Sequence, residues 1–297
     1  MSENMAVSKA KDTERKKQAL KRFVRVMFSR RIVIFGAVGT LLFILVALFA
    51  PFIATHSPDE IDMLHKFAPI SAEHYLGTDL FGRDLFSRLV YGTRVSILTG
   101  VIATALAAAI GALLGMIAAY YGGIVDKVLI AACDTYMAIP GTAIAMVLIA
   151  LFGGGMLNMA LILCIGGIPG FLRMMRASAL SIMNNDYILA AKLSGENKFK
   201  IMLKHVLPNG ISPIIVMMTQ SVGGSIMMES GLSFLGIGIK IPTASWGSII
   251  NEARPYLMTN PLYVLAPCVC LAVLIISLNL LGDGIRDAMD PTLRGEI

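Results

Sequence analysis

The side chains able to hold a metal or attack a carbonyl are few in this chain and badly placed for either task. Cys133, Cys164, Cys268 and Cys270 all fall inside apolar stretches, and the last two point about 200° apart on a helix. No CxxC or Cys/His ligand spacing exists, so neither a zinc site nor a redox pair is expected. The cysteines read as small buried hydrophobes. His56, His65, His74 and His205 lie outside the apolar blocks. No Ser–Lys or paired-Asp dyad sits with them at one depth, which argues against an enzyme embedded among those blocks. GxxxxGK[ST] is absent, so the chain cannot cradle nucleotide phosphates by the usual loop. The expectation is no catalytic residue, no metal and no cofactor held by the chain itself.

The elements that would have to position such groups explain their scarcity. The chain has 297 residues, 56% hydrophobic and only 15% charged, with a mean hydropathy of +0.75. Soluble domains carry about 25% charged residues. The apolar residues come in long uncharged blocks rather than amphipathic stripes. A disordered chain, a secreted disulfide scaffold and a nucleic-acid reader all fit badly, and the net charge of +6 does not rescue the last. Ten of the 25 basic residues lie before position 32, ahead of any apolar block. The chain is expected to be an integral membrane protein.

A span needs about 20 largely apolar residues. Blocks at 32–54, 95–125, 127–151, 157–177, 206–228 and 255–282 qualify, with Gly153-Gly154-Gly155 turning the third into the fourth. The first is too long for the core of a cleaved signal peptide. Placing the N-terminus inside puts 19 Lys and Arg on the cytoplasmic side against 6 outside, and six spans return the C-terminus to the same side. The division is a basic cytoplasmic tail at 1–31, a first span at 32–54 and an external loop at 55–93. A five-helix core follows at 94–283, then a cytoplasmic tail at 284–297. The end of the external loop, 81–90, sets Phe81, Leu85, Phe86 and Leu89 on one helical side, with Arg83, Asp84 and Arg88 elsewhere. It reads as a helix lying along the outer interface or an ordinary loop helix. A second external segment, 231–260, carries the only tryptophan, Trp246.

The cytoplasmic stretch between spans four and five, about 178–208, is the most informative. Asn185 or Asp186 caps a short helix through Lys192, and Gly195 takes the left-handed conformation that ends it. A second helix then sets Phe199, Met202, Leu203 and Val206 at helical spacing, with Lys198, Lys200 and Lys204 on the other side and Pro208 breaking it. The result is a knob with an apolar ridge and a basic flank. It either lies on lipid headgroups or plugs a groove on a cytoplasmic partner.

These residues carry a resemblance. Ala190-Ala191-Lys192-Leu193-Ser194-Gly195, then His205-Val206-Leu207-Pro208-Asn209, resembles the EAA loop of binding-protein-dependent ABC importer permeases. His74-Tyr75-Leu76-Gly77-Thr78-Asp79, Gly82-Arg83-Asp84, Ser87-Arg88 and Tyr91-Gly92-Thr93-Arg94 are similar to the signature of the C-type subunit of the dipeptide/oligopeptide/nickel group. Tyr120 to Gly123, Glu229 to Gly236, 242–247, Asn279 to Gly284, Asp287 and Asp290-Pro291 continue the match. Leu189 stands where the motif usually has Glu, and Glu196 lies just after the glycine instead. The resemblance implies an all-α, six-helix, type I ABC importer permease with both termini cytoplasmic, multi-pass in a bacterial or archaeal cell (inner) membrane. It implies a heterodimer with a homologous second permease, two ATP-binding subunits that hold ATP and Mg, and an external substrate-binding protein. It assigns ATPase coupling to Asp186, Ala190, Ala191, Lys192, Gly195, Glu196, Phe199, Leu203, His205, Leu207 and Pro208. It makes Asp79, Gly82, Arg83, Asp84, Glu229, Ser230 and Trp246 candidates for binding-protein docking or gating.

The implied cargo is a di- or oligopeptide, with nickel-metallophore, opine or glutathione cargo as the alternative. An ATPase-independent secondary transporter would need acids at mid-membrane, and Asp134 alone is a candidate. Asp134 is expected to join helices. Glu229 is expected either to act as a gate or substrate-amine contact or to pair with an arginine such as Arg254. Met217, Met218, Met227 and Met228 read as packing. Asp283, Asp287 and Asp290 are set either to latch with Arg286 and Arg294 or to stay solvated.

Overall fold

The computed structural model describes Glu14, Lys21 and residues 23–289. Most of the basic run at 1–22, and Asp290, Pro291 and Arg294 of the tail, lie outside the described residues. Helices account for nearly all of the rest. Helix α1 spans Arg31–Leu48 and bends at Phe49 into α2, Ala50–Ile53, which has a proline in its first turn. A loop then leads to α3, Leu85–Tyr121, which Asp84 caps by accepting from the Ser87 amide at 2.8 Å. Gly122, at φ +59°, ends it. Helices α4 (Gly123–Met137) and α5 (Gly141–Phe152) meet at a bend of 89°. After the glycine turn comes α6, Met156–Met183. The knob follows as α7 (Asp186–Leu193), α8 (Lys198–Ile201) and a π-helical turn, Met202–Val206. Helix α9 runs Leu207–Phe234, α10 runs Trp246–Ala253 and α11 runs Pro261–Met289.

Lipid tails are as apolar as leucine, so apolar faces alone do not pull these helices together. Close approach at small residues does. On α3, Ala107, Ala108, Gly111, Ala112 and Gly115 form a buried strip. A Cβ at Gly111 would stand 2.6 Å from Phe171 Cβ of α6, and one at Gly115 would stand 2.5 Å from the Leu172 carbonyl oxygen. Gly100 admits Ile226 of α9 in the same way. Gly36 of α1 lies against the Ser277 carbonyl of α11, and Gly284 of α11 receives Val33. Phe171, Met175, Ala179, Ile188, Ile201 and Val206 continue the α3–α6 seam into the knob as one apolar core.

Three expectations need correction. The stretch at 81–90 is not an interfacial helix: from Leu85 it is the opening of α3, which therefore begins ten residues before the expected second span. The third span is broken: α4 ends at Met137, and Pro140 stands as the N-cap of α5, which leaves at 89°. Pro208, in contrast, breaks nothing. It sits in the first turn of α9, where a missing N–H is tolerated, and the preceding π turn absorbs the change in register. Among the described residues, five helices are long and apolar enough to span, and the bent pair, taken as one span, makes a sixth.

Gly115→Val places methyls against α6 backbone and is expected to cost about 1–3 kcal/mol, read as a lower unfolding midpoint in detergent. Gly224→Ala, which meets nothing within 4 Å, is expected to leave that midpoint unchanged.

Candidate functional site

The two polar regions sit at opposite ends of α3, whose 37 residues span about 55 Å at 1.5 Å per residue. At the C-terminal end, Lys192 Nζ lies 5.6 Å from the Tyr120 ring and Lys198 Nζ 5.1 Å from the Tyr121 ring. These contacts seat the knob against α3. Inside it, Ile188, Ile201, Met202 and Val206 are buried against α6 and α9. Leu189, Leu193, Phe199 and Leu203 are exposed, Leu193 at 80%. The ridge is therefore not the expected one: Met202 and Val206 turn inward, and Leu189 and Leu193 join Phe199 and Leu203 outside. Asp186, Ala190, Lys192, Lys198, Lys200, Lys204 and Pro208 surround it on the open surface, with Ala191 and Leu207 half-buried.

Gly195 reverses the chain at φ +71°, a region costly for side chains with a Cβ. Asn197 caps α8 by accepting from the Phe199 amide at 2.9 Å. Glu196 then closes the knob on itself, 3.0 Å from Lys200 Nζ and 2.9 Å from His205 Nε2. Hydrogen bonds from Lys200 and His205 hold its carboxyl below the usual glutamate range. Its polar atoms are thus engaged within the chain. Asn209 Nδ2 donates to the His205 carbonyl at 2.7 Å, steadying the π turn.

At the other end, residues 55–84 and α10 form a cap with a buried charge lock. Arg83 Nε donates to Asp79 at 2.6 Å, and its Nη2 donates to Glu252. Arg88 Nη2 reaches both Glu252 oxygens at 3.2 Å, and Tyr263 Oη donates to the same carboxylate at 3.3 Å. Burial works against the Arg83 charge, but Glu252 and Asp79 outweigh it and hold the guanidinium pKa above its ordinary value. Gly82, at φ +73°, is the point where the Asp62 carbonyl crosses: a Cβ there would meet that oxygen at 1.6 Å. Trp246 is fully buried, edge-on to Phe43 at 5.7 Å, and donates to the Leu89 carbonyl at 3.1 Å.

The expected docking residues thus have a different place. Asp79, Arg83, Asp84, Glu229, Ser230 and Trp246 are all buried: Asp79, Arg83, Asp84 and Trp246 lie within the cap, and Glu229 and Ser230 lie on α9 beneath it. Glu229 does not pair with Arg254, which instead lies over the Phe234 ring at 5.8 Å. Its carboxylate accepts from Ser96 of α3 at 2.9 Å and from Ser233 at 2.7 Å. Asp134 does join helices, through Arg173, and Asp126 pairs with Arg176 at 2.5 Å. Asp287 pairs with Arg30 at 3.2 Å rather than with Arg286. Sequence reasoning missed Glu252 and Tyr263. The available signal was Glu252 as the only acid between 230 and 282, facing two arginines in need of one.

With this geometry in place, comparison with known proteins defines the class. Residues 111–295 match the family described as "Binding-protein-dependent transport system inner membrane component", and the chain belongs to that family: it is a multi-pass membrane permease. Residues 18–69 match a narrower description, "N-terminal TM domain of oligopeptide transport permease C". The chain is 35% identical to "Dipeptide transport system permease protein DppC" of Alkalihalophilus pseudofirmus, covering 89% of this chain and 87% of the relative. It is 35% identical to "Glutathione transport system permease protein GsiD" of Pectobacterium atrosepticum, over 92% and 91%. The methionine ABC transporter MetNI, in an inward-facing form, superposes with a TM-score of 0.54 over 68% of this chain and 96% of that one. At 18% identity, that likeness speaks for the fold alone, a type I ABC importer permease.

Two measurements follow. Glu252→Ala strips two buried arginines of their acid and is expected to cost about 3–5 kcal/mol; Asp134→Ala, in an exposed pair, is expected to cost about 0–1 kcal/mol. Because the Glu196 pKa is lowered in the fold, its contribution is complete above the usual glutamate range and lost as pH falls through the lowered value. Hydrogen exchange of residues 195–206, corrected for intrinsic rates, should accelerate below that range. In Glu196→Gln it should be fast at every pH.

Proposed function

We propose that this chain is one of two permease subunits of an ATP-driven importer of small peptides, with the knob on the cytoplasmic side as the joint to an ATPase. The observation that carries the proposal is the knob surface: four exposed apolar side chains, Leu189, Leu193, Phe199 and Leu203, ringed by Lys192, Lys198, Lys200 and Lys204. An apolar patch with a polar rim on a stiff helical base is the surface that fills a protein groove. The 19 to 6 distribution of basic residues supports the orientation. ATP and Mg belong to two partner ATPases in this reading, since the chain has no phosphate loop; a second, homologous permease and an external binding protein complete the assembly.

Helix α9 supports a shared pathway. Gln220, midway along it, and Asn279 of α11 are exposed on two helices long and apolar enough to span, and Asn279 Oδ1 lies 3.6 Å from the position of a Cβ at Gly223. Polar groups at bilayer depth face protein or water rather than lipid, so this side is assigned to the second permease and the pathway. Dipeptide and glutathione are the cargoes in the relatives' names; glutathione is itself a tripeptide, so the cargo class is the same. The cap would receive the loaded binding protein through its exposed surface, with Asp79, Arg83, Asp84 and Trp246 holding that surface in shape from beneath.

Leu193→Asp with Phe199→Asp alters exposed side chains only. The double variant is expected to insert and to keep its unfolding midpoint, to lose co-purifying ATPase, and to lower peptide uptake more than tenfold, since buried interface anchors are worth 2 kcal/mol or more. Full uptake in that variant, or labelling of a cysteine at 193 from outside the cell, overturns the proposal.

A further inference from the structure

Of the histidines outside the spans, the fold gathers three at the cap in a cleft of about 160 Å³. Its lining includes His56, Glu60, Asp62, His65, Glu73 and His74, together with the Asp84 carboxylate, and no Lys or Arg. Three histidines and four carboxylates without a basic residue make a place for a cation. Within it, one ligand atom each from His56, Glu73 and His74 lies within 4.8 Å of the other two. We infer that His56, Glu73 and His74 bind a divalent transition-metal ion of the kind that prefers imidazole, such as Zn²⁺ or Ni²⁺.

The two rings are prepared for it. The imidazoles of His56 and His74 lie 4.8 Å apart, tilted by 32°. His74 Nδ1 is 3.0 Å from Asp84 Oδ1. A carboxylate only accepts, so this Nδ1 carries the proton and Nε2 keeps its lone pair for a metal. Asp84 is itself immobile, buried and capping α3. His56 Nδ1 is likewise engaged, 3.0 Å from Thr55 Oγ1, and the His56 amide donates to Ser87 Oγ at 3.0 Å. A ring whose second nitrogen is hydrogen-bonded to a fixed oxygen is the usual setting of a ligating histidine. Three atoms no more than 4.8 Å apart lie at most about 2.8 Å from a common centre, against about 2.0–2.2 Å in a zinc site. The exposed Glu73 side chain is free to close that gap. Two imidazoles and a carboxylate select zinc, nickel or copper over magnesium or calcium, which take oxygen.

The ion would tie three separate pieces together: the end of the first span at Thr55–His56, the turn at 71–76 and the Asp84 cap of α3. This inference is independent of the transport reading, and its failure leaves that reading intact. The test uses the tag-free full-length chain purified in detergent, stripped with chelator, and titrated with Co²⁺ as a visible-absorption probe and Zn²⁺ as competitor. The expected result is one ion per chain, displaced by Zn²⁺, with a higher unfolding midpoint when loaded. His56→Gln with Glu73→Gln touches neither the charge lock nor the packed core; it should weaken binding more than 100-fold and leave the metal-free midpoint in place. Thr55→Val, which frees the His56 ring, should weaken binding about 10–100-fold. Absence of a saturable cobalt band, or binding unchanged in the double variant, overturns the assignment.

Discussion

The close approach of α3 to α6 is the constraint on which the molecule depends. Within a bilayer the force between helices comes from packing at short range, and the glycines and alanines of α3 are what permit it. Their backbones approach so nearly that a single Cβ at Gly115 would stand 2.5 Å from a carbonyl oxygen. The hydrocarbon layer takes about 20 residues, and α3 has 37, so the rod runs past the membrane at both ends. Its first turns lie inside the cap and carry Arg88; its last residues, Tyr120 and Tyr121, lie under the knob lysines. One helix thereby indexes both polar ends against the same core.

The two ends are built from opposite materials. The cap holds four charges with almost no contact with water, two arginines sharing Glu252 and Asp79. Such a set adds little net stability, because removing the ions from water costs about as much as their pairing returns. What the set does is join 55–84 to α10, since Glu252 of α10 is shared by both guanidinium groups. The knob has an exposed apolar ridge, two short helices and one carboxylate strut near its surface. Its inner side is apolar as well, with Ile188, Ile201, Met202 and Val206 buried in the same core as the α3–α6 seam.

Much of this was legible in the sequence. Long uncharged blocks and the glycine turn at 153–155 are local or compositional signals. They returned six spans, their order and the knob between the fourth and fifth. What was not legible depends on partners distant in the chain. Arg83 and Arg88 read as surface charges until Glu252, more than 160 residues on, enters the same pocket. His56 and His74 are 18 positions apart and meet only because α2 ends where α3 begins. The knob ridge was misread for a subtler reason. The helical period predicts which residues share a face but not which face is inward, and the π turn at Met202–Val206 rotates the register just there.

That π turn is also where a displacement of the knob would enter the bundle. It joins directly to α9, which runs unbroken to Phe234 despite Pro213 within it. At the far end of α9, Glu229 accepts from Ser96 on α3 and from Ser233 on its own helix. Three serines, Ser96, Ser230 and Ser233, thus satisfy one carboxylate where α9 crosses α3. The lock of α10 to Arg83 and Arg88 lies above this level. The end of α9 is in turn held to the cap, because Asn251 of α10 donates to the Phe234 carbonyl and Gly247 lies so close to Ser230 that a Cβ there would stand 2.3 Å from its carbonyl oxygen; one helix therefore links the knob to the cap through close-packed contacts at both ends.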